Sequence, residues 1–438
     1  MRKTRNKNRA TPKRIGRMWW YGFGGKGSLN GFQPGIGQLK GVAADAGLAN
    51  KTLLLAGLGA VGGKCLTELA RMGVGTVFAV DPDIYDKESW LTQPVRRKED
   101  LNREKAVVQG AAAAAANPEI RVITTRGFLQ DLPLRILRRA DLLVVAGDNL
   151  EMLVLAGKLA AALSKPLLEA AVHGESFSVF VRHWNLSDAS AACPACAMSE
   201  REWGLLRSRR GCDLGTSRRL GQEATRTLPF VCSAAASLLA GEIVKCLLDD
   251  DQPRLANEEL AYCLKSHRLW RTSHERNNNC RCPHEKWNIV DVDLPPSRLT
   301  FSRIIGQFAD VPNFQLRGEL SWISFASCGR CENWVPVRRF GNVGDRVGRC
   351  SCGAGLVAVP LGSNSEIPAD DLRACRDVPL DALGLMSGDA LRISSERKEL
   401  CVFLDDSFSR ASSGQASFSI AARGREKERG DDGRQSYC

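Results

Sequence analysis

A chain of 438 residues with 44% apolar residues can bury a sizeable core, and its length suggests two or three domains. The longest apolar stretch, residues 230–248, carries Glu242 and Lys245, so it falls short of the roughly 18 uncharged apolar residues that argue for a membrane span. The net charge of +12 is lopsided: Arg2, Lys3, Arg5, Lys7, Arg9, Lys13, Arg14 and Arg17 precede any acid, which reads as a short solvated tail in preference to the alternative, a nucleic-acid contact.

The basic N-terminus has neither the apolar stretch nor the small-residue cleavage site of a secretory signal, so a cytosolic protein is expected. In that compartment 16 cysteines, several of them closely paired, favour metal ligation or thiol chemistry over a disulfide framework.

Residues 51–57 (KTLLLAG) predict a buried strand, followed by a glycine-rich turn and a helix-periodic segment through Met72. A second strand at 76–80 ends at Asp81. An alanine-rich helix over 104–116 is stopped by Asn117-Pro118. A strand at 121–125, a short helix near Leu134 and an apolar strand at 141–146 come next, then a helix to Leu163 and strands around 167–172 and 177–181. This alternation predicts a Rossmann-like α/β fold, a mostly parallel sheet with helices on both faces.

The segment 185–229 is polar, rich in Arg, Ser and Gly, and too long to be a simple connection, whereas 230–248 reads as a buried helix. From about Pro295 the sequence turns Gly-rich, cysteine-paired and strand-like, and after Ser407 it is polar and of low complexity. The expected division is a disordered basic segment at 1–40, a nucleotide domain at 41–290, a small β-rich C-terminal domain at 291–407 and a disordered tail at 408–438.

Gly57, Gly59, Gly62 and Gly63 form a GxGxxGG fingerprint between a strand and a helix. The first glycine permits the turn, the second lets phosphates approach the backbone, and the third allows close helix packing. Lys105, at the start of the helix after the second strand, can reach phosphate oxygens. Asp148, beyond the 141–146 strand, stands where ligands bind in such sheets. An ammonium and a hard carboxylate suit triphosphate and Mg²⁺ chemistry, which hydride transfer does not need. Taken singly, Asp148 or Asn149 can simply cap the next helix, and Lys105 can be a solvated helix lysine.

Gly57 to Gly63, Asp81-Pro82-Asp83, Gln93, Lys105 and Asp148-Asn149 together resemble the ordered motif set of the ThiF/MoeB and ubiquitin-activating superfamily over roughly residues 40 to 290. The resemblance implies ATP as substrate, with Asp81 on the ribose, Lys105 on the phosphates and Asp148 serving Mg²⁺. The implied reaction is attack of a carboxylate on the α-phosphate with loss of pyrophosphate. It also implies a ubiquitin-like or sulfur-carrier protein whose C-terminal glycine is adenylated, a conjugating enzyme as a further partner, and a homodimer. The family's Asn-Leu-x-Arg-Gln segment is replaced here by Ser89-Trp90-Leu91-Thr92-Gln93, leaving Arg96, Arg97 or Arg103 to stand in for the arginine.

Cys193 with Cys196 and Cys280 with Cys282 are two close pairs that suit a structural zinc site, with His284 as an alternative ligand; the family commonly carries such a site. Cys328, Cys331, Cys350 and Cys352 have the spacing of a zinc ribbon. For a reactive thiol, Cys232 at the start of a helix and Cys212 among arginines on the long loop are rivals, since either setting favours a thiolate. The resemblance gives both a possible thioester role, while Cys232 is equally well a core residue. Two other readings stay open: an adenylyltransferase acting on a peptide or small molecule, and a nicotinamide-binding or degenerate Rossmann protein.

Overall fold

The computed structural model describes residues 13–15, 18–23, 47–87, 89, 93, 97–147, 149–188, 190–208, 227–248, 255–307, 314–395 and 399–404. The tail at 408–438 lies outside them. Two short strands, β1 (Lys13–Ile15) and β2 (Met18–Phe23), open the chain. The alternating unit then runs β3 (Thr52–Ala56), α1 (Gly62–Met72), β4 (Thr76–Asp81), α2 (Lys105–Ala116), β5 (Arg121–Arg126), α3 (Leu134–Arg139), β6 (Leu142–Val145), α4 (Leu150–Ala162) and β7 (Leu167–His173). It continues through β8 (Ser178–Trp184), α5 (Glu200–Ser208), α6 (Pro229–Leu248), β9 (Glu258–Cys263) and β10 (Arg268–Ser273).

These strands form a sheet ordered β1-β2-β5-β4-β3-β6-β7-β8-β9-β10. Its middle, β5 to β7, is parallel. The long apolar runs follow from cover on both faces. Leu53 and Leu55 enter one apolar cluster with α1 and α6, while Leu54 and Ala56 enter the opposite one with α3 and α4.

Two features depart from the sequence reading. β8 pairs antiparallel with β7, because the four residues between them are far too few for a crossover helix. The basic segment, expected to be disordered throughout, contributes a strand: Tyr21, Gly22 and Phe23 pair with Thr124, Ile123 and Val122, so β2 covers the open edge of β5.

The C-terminal part starts with β11 (Asn288–Val292) and α7 (Phe301–Gln307), then β12 (Gln315–Gly318), β13 (Ser321–Cys328), β14 (Trp334–Gly341), β15 (Arg346–Arg349), β16 (Gly355–Ala358) and β17 (Ser363–Asn364). It closes with α8 (Ala369–Ala374), β18 (Ala390–Ser394) and β19 (Glu399–Leu404). One sheet is ordered β11-β19-β18-β12, the other β14-β13-β16-β15 with β17 beside β13.

The two parts share a core, for Ala390, Cys401 and Phe403 pack in the same apolar cluster as α3 and α4. Around them runs a polar seam. Arg138 forks onto Asp291 and lies 4.6 Å over the ring of Phe403. Arg135 donates to the Ser387 carbonyl at 2.6 Å. Gly388 beside it has φ +84°, and a Cβ there would run into the Arg135 side chain. The Glu319 carboxylate accepts the amides of Leu134 at 3.1 Å and Ala390 at 2.7 Å.

Burial, with Asp389 adding to it, pushes the Glu319 carboxyl up to about 8 against the pull of those amides and Arg135. The folded chain therefore keeps a proton that the unfolded chain releases near the ordinary glutamate value of about 4.3. Stability should fall as pH rises between these values, by about 1.4 kcal/mol per pH unit at most, and level off above the folded value. Glu319→Gln should remove that slope when denaturant unfolding is compared with wild type from pH 5 to pH 8.

Candidate active site and metal centres

The glycine turn follows β3 directly. Gly57 has φ +93°, and a Cβ on it would come within 2.8 Å of the Ala146 carbonyl oxygen at the end of β6, so any side chain would force β3 and β6 apart. A Cβ on Gly63 would lie 2.6 Å from the Gln109 amide, so this glycine sets how closely α1 approaches α2. Among the described residues, nothing lies within 4 Å of where a Cβ on Gly59 would be. Packing does not require a glycine there, and the space is open to a ligand that must touch backbone.

Asp81 ends β4 at the same rim and is 5% exposed. Its two carboxylate oxygens accept the amides of Leu58 at 2.7 Å and Asp83 at 2.9 Å. Burial pushes its carboxyl up, while Lys105 and the two amides pull it back. Each oxygen keeps a second lone pair, which is what a ribose hydroxyl would use.

Lys105, in the first turn of α2, sends its ammonium 2.9 Å from Asp83 Oδ2, and its own amide donates to the Asp83 carbonyl at 3.0 Å. The Lys105 side chain is 11% exposed and that of Asp83 is 52% exposed. Lys105 also acts electrostatically on Asp81 and Asp86. Lys105 thus pairs with one acid and acts at longer range on two more. Gln93 is buried, its amide donates to the Ser89 carbonyl at 3.2 Å, and its Oε1 finds no hydrogen-bond partner among the described residues.

Asp148 lies outside the described residues. Of its neighbours, Gly147 follows the end of β6 that abuts Gly57, and Asn149 caps α4 by accepting the amides of Glu151 at 2.9 Å and Met152 at 3.4 Å. The capping role therefore belongs to Asn149. Of the three arginines weighed as substitutes, Arg96 lies outside the described residues and Arg103 pairs with Asp100 at 2.6 Å.

Three residues of this region escaped the sequence reading. Lys64, one position past the glycines, donates to the Pro229 carbonyl at 2.6 Å and the Ser233 hydroxyl at 2.8 Å, tying α1 to the start of α6. Tyr85 accepts from Gln109 Nε2 at 2.6 Å. The Asp86 carboxylate accepts both the amide and the hydroxyl of Ser89. Only Lys64, in helical register with the fingerprint, carried a signal that could have found it.

Cys232 is fully buried in the core under α1 and α6, and burial pushes its thiol up despite nearby Lys64. Its surroundings are those of a packing residue, not of a helix-end thiolate. Cys212 lies outside the described residues.

The cysteine pairs do converge. Cys193 Sγ lies 3.9 Å from Cys196 Sγ and 3.7 Å from Cys280 Sγ, and Cys196 Sγ lies 3.4 Å from His284 Nε2. These four donor atoms sit within 4.8 Å of one another. Cys282 lies beside Cys193 but outside that group, and His284, two residues on, is the fourth potential donor in it. In the second cluster the Cys328–Cys352 and Cys331–Cys350 sulfurs are both 3.5 Å apart. A tetrahedron with Zn–S bonds of about 2.3 Å has sulfur–sulfur edges of about 3.8 Å, so both donor sets fit a zinc-sized ion.

In the ribbon, thiols are pushed down at Cys328 and Cys350 and up at Cys331 and Cys352. Amides of Cys331 and Arg330 hold the Cys328 thiol down at about 6, and the Cys352 amide lowers that of Cys350. Native mass spectrometry should find both sites filled by zinc. Cys331→Ser should empty one and His284→Ala the other, whereas Cys282→Ser should keep both.

Comparison with known proteins adds a family. The ThiF family pattern matches residues 36–284, more than half of the chain. The sulfur carrier protein adenylyltransferase of Thermus thermophilus is 32% identical over 137 residues, 31% of this chain and 51% of that protein. The human ubiquitin-like modifier-activating enzyme 7 is 30% identical over 168 residues, 35% of this chain and 16% of that protein. The chain thus spans about half the length of the first relative and much less of the second. Among solved structures, Escherichia coli MccB with succinimide superposes with a TM-score of 0.44 at 19% identity, covering 54% of this chain and 67% of that one. On the extent of the family match, the chain belongs to the ThiF family.

Proposed function

We propose that this chain uses ATP to convert a carboxylate into an acyl-adenylate, and that the carboxylate is the C-terminus of a ubiquitin-like or sulfur-carrier protein. The observation that carries this reading is the ammonium of Lys105 paired with Asp83, two residues from the Asp81 carboxylate that holds the glycine turn. An ion pair with a half-exposed carboxylate is weak, so Lys105 can exchange Asp83 for a phosphate oxygen at little cost. Asp81 shapes the turn and offers its remaining lone pairs to the ribose. Asp148 would hold Mg²⁺, which supplies charge neutralisation on the phosphates. The carboxylate attacks the α-phosphate, pyrophosphate leaves, and the role of Lys105 is to stabilise the charge that develops.

Two names among the relatives support the substrate class, since one is a sulfur carrier protein adenylyltransferase and another a ubiquitin-like modifier-activating enzyme. The same reading has the protein at work in the cytosol, as a homodimer that hands its product to a conjugating partner. Cys212 stays a candidate for that hand-over, and Cys232 would need its helix to move.

ATP–pyrophosphate exchange, run with small carrier proteins ending in Gly-Gly, tests this. Lys105→Ala and Asp148→Ala should each cut exchange by about 100- to 1000-fold, the usual cost of losing one charge-stabilising group. Gly59→Val should block ATP binding while leaving the fold intact, because its side chain enters open space. Binding of NAD in place of ATP, or full exchange by Lys105→Ala, would end the proposal.

A further inference from the structure

The ribbon sheet has one packed face and one outward face. Ile323, Ala326, Cys328, Val347, Leu356 and Ala358 turn inward and make its small core. The residues between them look outward, as the two-residue period of a strand requires. One register row crosses all four strands: Trp334 on β14 lies opposite Ser327 on β13, Ser327 opposite Val357 on β16, and Val357 opposite Arg346 on β15. Phe325, two positions before Ser327, is on the same face. Trp334 is 49% exposed and Phe325 44% exposed.

This face is aromatic on one side and cationic on the other. Trp334 and Phe325 are diagonal neighbours on adjacent strands, which sets them roughly 7 to 8 Å apart. That is twice the roughly 3.4 Å between successive nucleotides of a stacked strand. Two rings so spaced suit bases that have been pulled apart, one on each ring, which single strands permit and duplexes do not. Across the sheet, a Cβ on Gly355 would lie 4.0 Å from the Arg346 side chain, so this arginine reaches along the same face. Arg349 stands opposite Gly355, and Arg330 lies in the neighbouring cysteine knuckle. All three arginines are exposed, and none has a carboxylate partner among the described residues.

A partner offering only acidic groups would use the arginines and leave the rings in water. An apolar partner would bury the rings and leave the arginines unpaired. A single-stranded nucleic acid satisfies both, with bases on the rings and phosphates in the guanidinium forks. We propose that the outward face of the ribbon sheet binds single-stranded nucleic acid, Trp334 and Phe325 each stacking a base while Arg330, Arg346 and Arg349 hold the backbone. Stacking and charge read no base edge, so binding tolerates sequence and weakens with salt. This activity goes beyond the adenylation reading and does not depend on it.

Fluorescence anisotropy with labelled oligo(dT) and oligo(U) of about 15 nucleotides, titrated with the zinc-loaded full chain, tests this. Both strands should bind, and a duplex of the same length should compete poorly; tighter binding of one strand supports the site and names its natural ligand as DNA or RNA. Trp334→Ala should weaken binding roughly 5- to 100-fold and leave the salt dependence unchanged, because it removes a stack and no charge. Arg346→Ala combined with Arg349→Ala should lower the slope of log affinity against log salt by about two. Zinc content by native mass spectrometry should equal wild type in each variant, which separates a lost contact from a lost fold. Wild-type affinity in Trp334→Ala would overturn the proposal, as would polyglutamate binding as tightly as the oligonucleotides, which would assign the face to an acidic protein. Binding abolished by removing residues 2–12 but kept in Trp334→Ala would place the contact in the basic N-terminus instead.

Discussion

A buried carboxylate is expensive unless its oxygens are satisfied, and the glycine-turn end of this molecule is arranged around that requirement. Asp81 takes one amide from the glycine turn and one from the segment that follows β4. The two loops therefore cannot move independently. Lys105 adds the counter-charge, and through Asp83 it fixes the start of α2 on the same point. The turn, the strand end and the helix start are three backbone pieces oriented by one side chain.

Helix packing completes the arrangement. Gly63 lets α1 sit against Gln109, whose Nε2 donates to Tyr85 in the loop that carries Asp83. Gln93 adds a buried amide oxygen with no partner among the described residues, an unusual expense for a core and common beside a binding site. The rigid parts lie below the turn and the exchangeable ones above it: Asp83 is half-exposed, and the volume over Gly59 is open.

The parallel middle of the sheet could be read from the chain because continuous apolar runs between helical segments have few other uses. Leu53 to Ala56 and Leu142 to Val145 indeed bury alternate residues on opposite faces. The glycine turn, Lys105 and the cysteine clusters were legible for a similar reason, since fixed spacing carries the chemistry. What escaped depends on pairing across long separations. Nothing local marks residues 18–23 as the partner of β5, and no spacing rule puts His284 in the same donor group as Cys193, Cys196 and Cys280. Asp81 could be picked out in the sequence as a candidate for the ribose but not as the anchor of the turn, because the amide of Leu58 reaches it only in three dimensions.

The shared core at Ala390, Cys401 and Phe403 bears on how the chain can be divided. A change in sequence character near residue 290 invites a cut there, yet β11 begins at Asn288 and pairs along its whole length with β19, the last described strand. The N-terminal half would lose the cover over α3 and α4, and the ribbon half would lose the floor it stands on. Compositional frontier and folding unit do not coincide, so evolution could exchange the ribbon hairpins between β12 and β18 far more easily than the sheet that bears them.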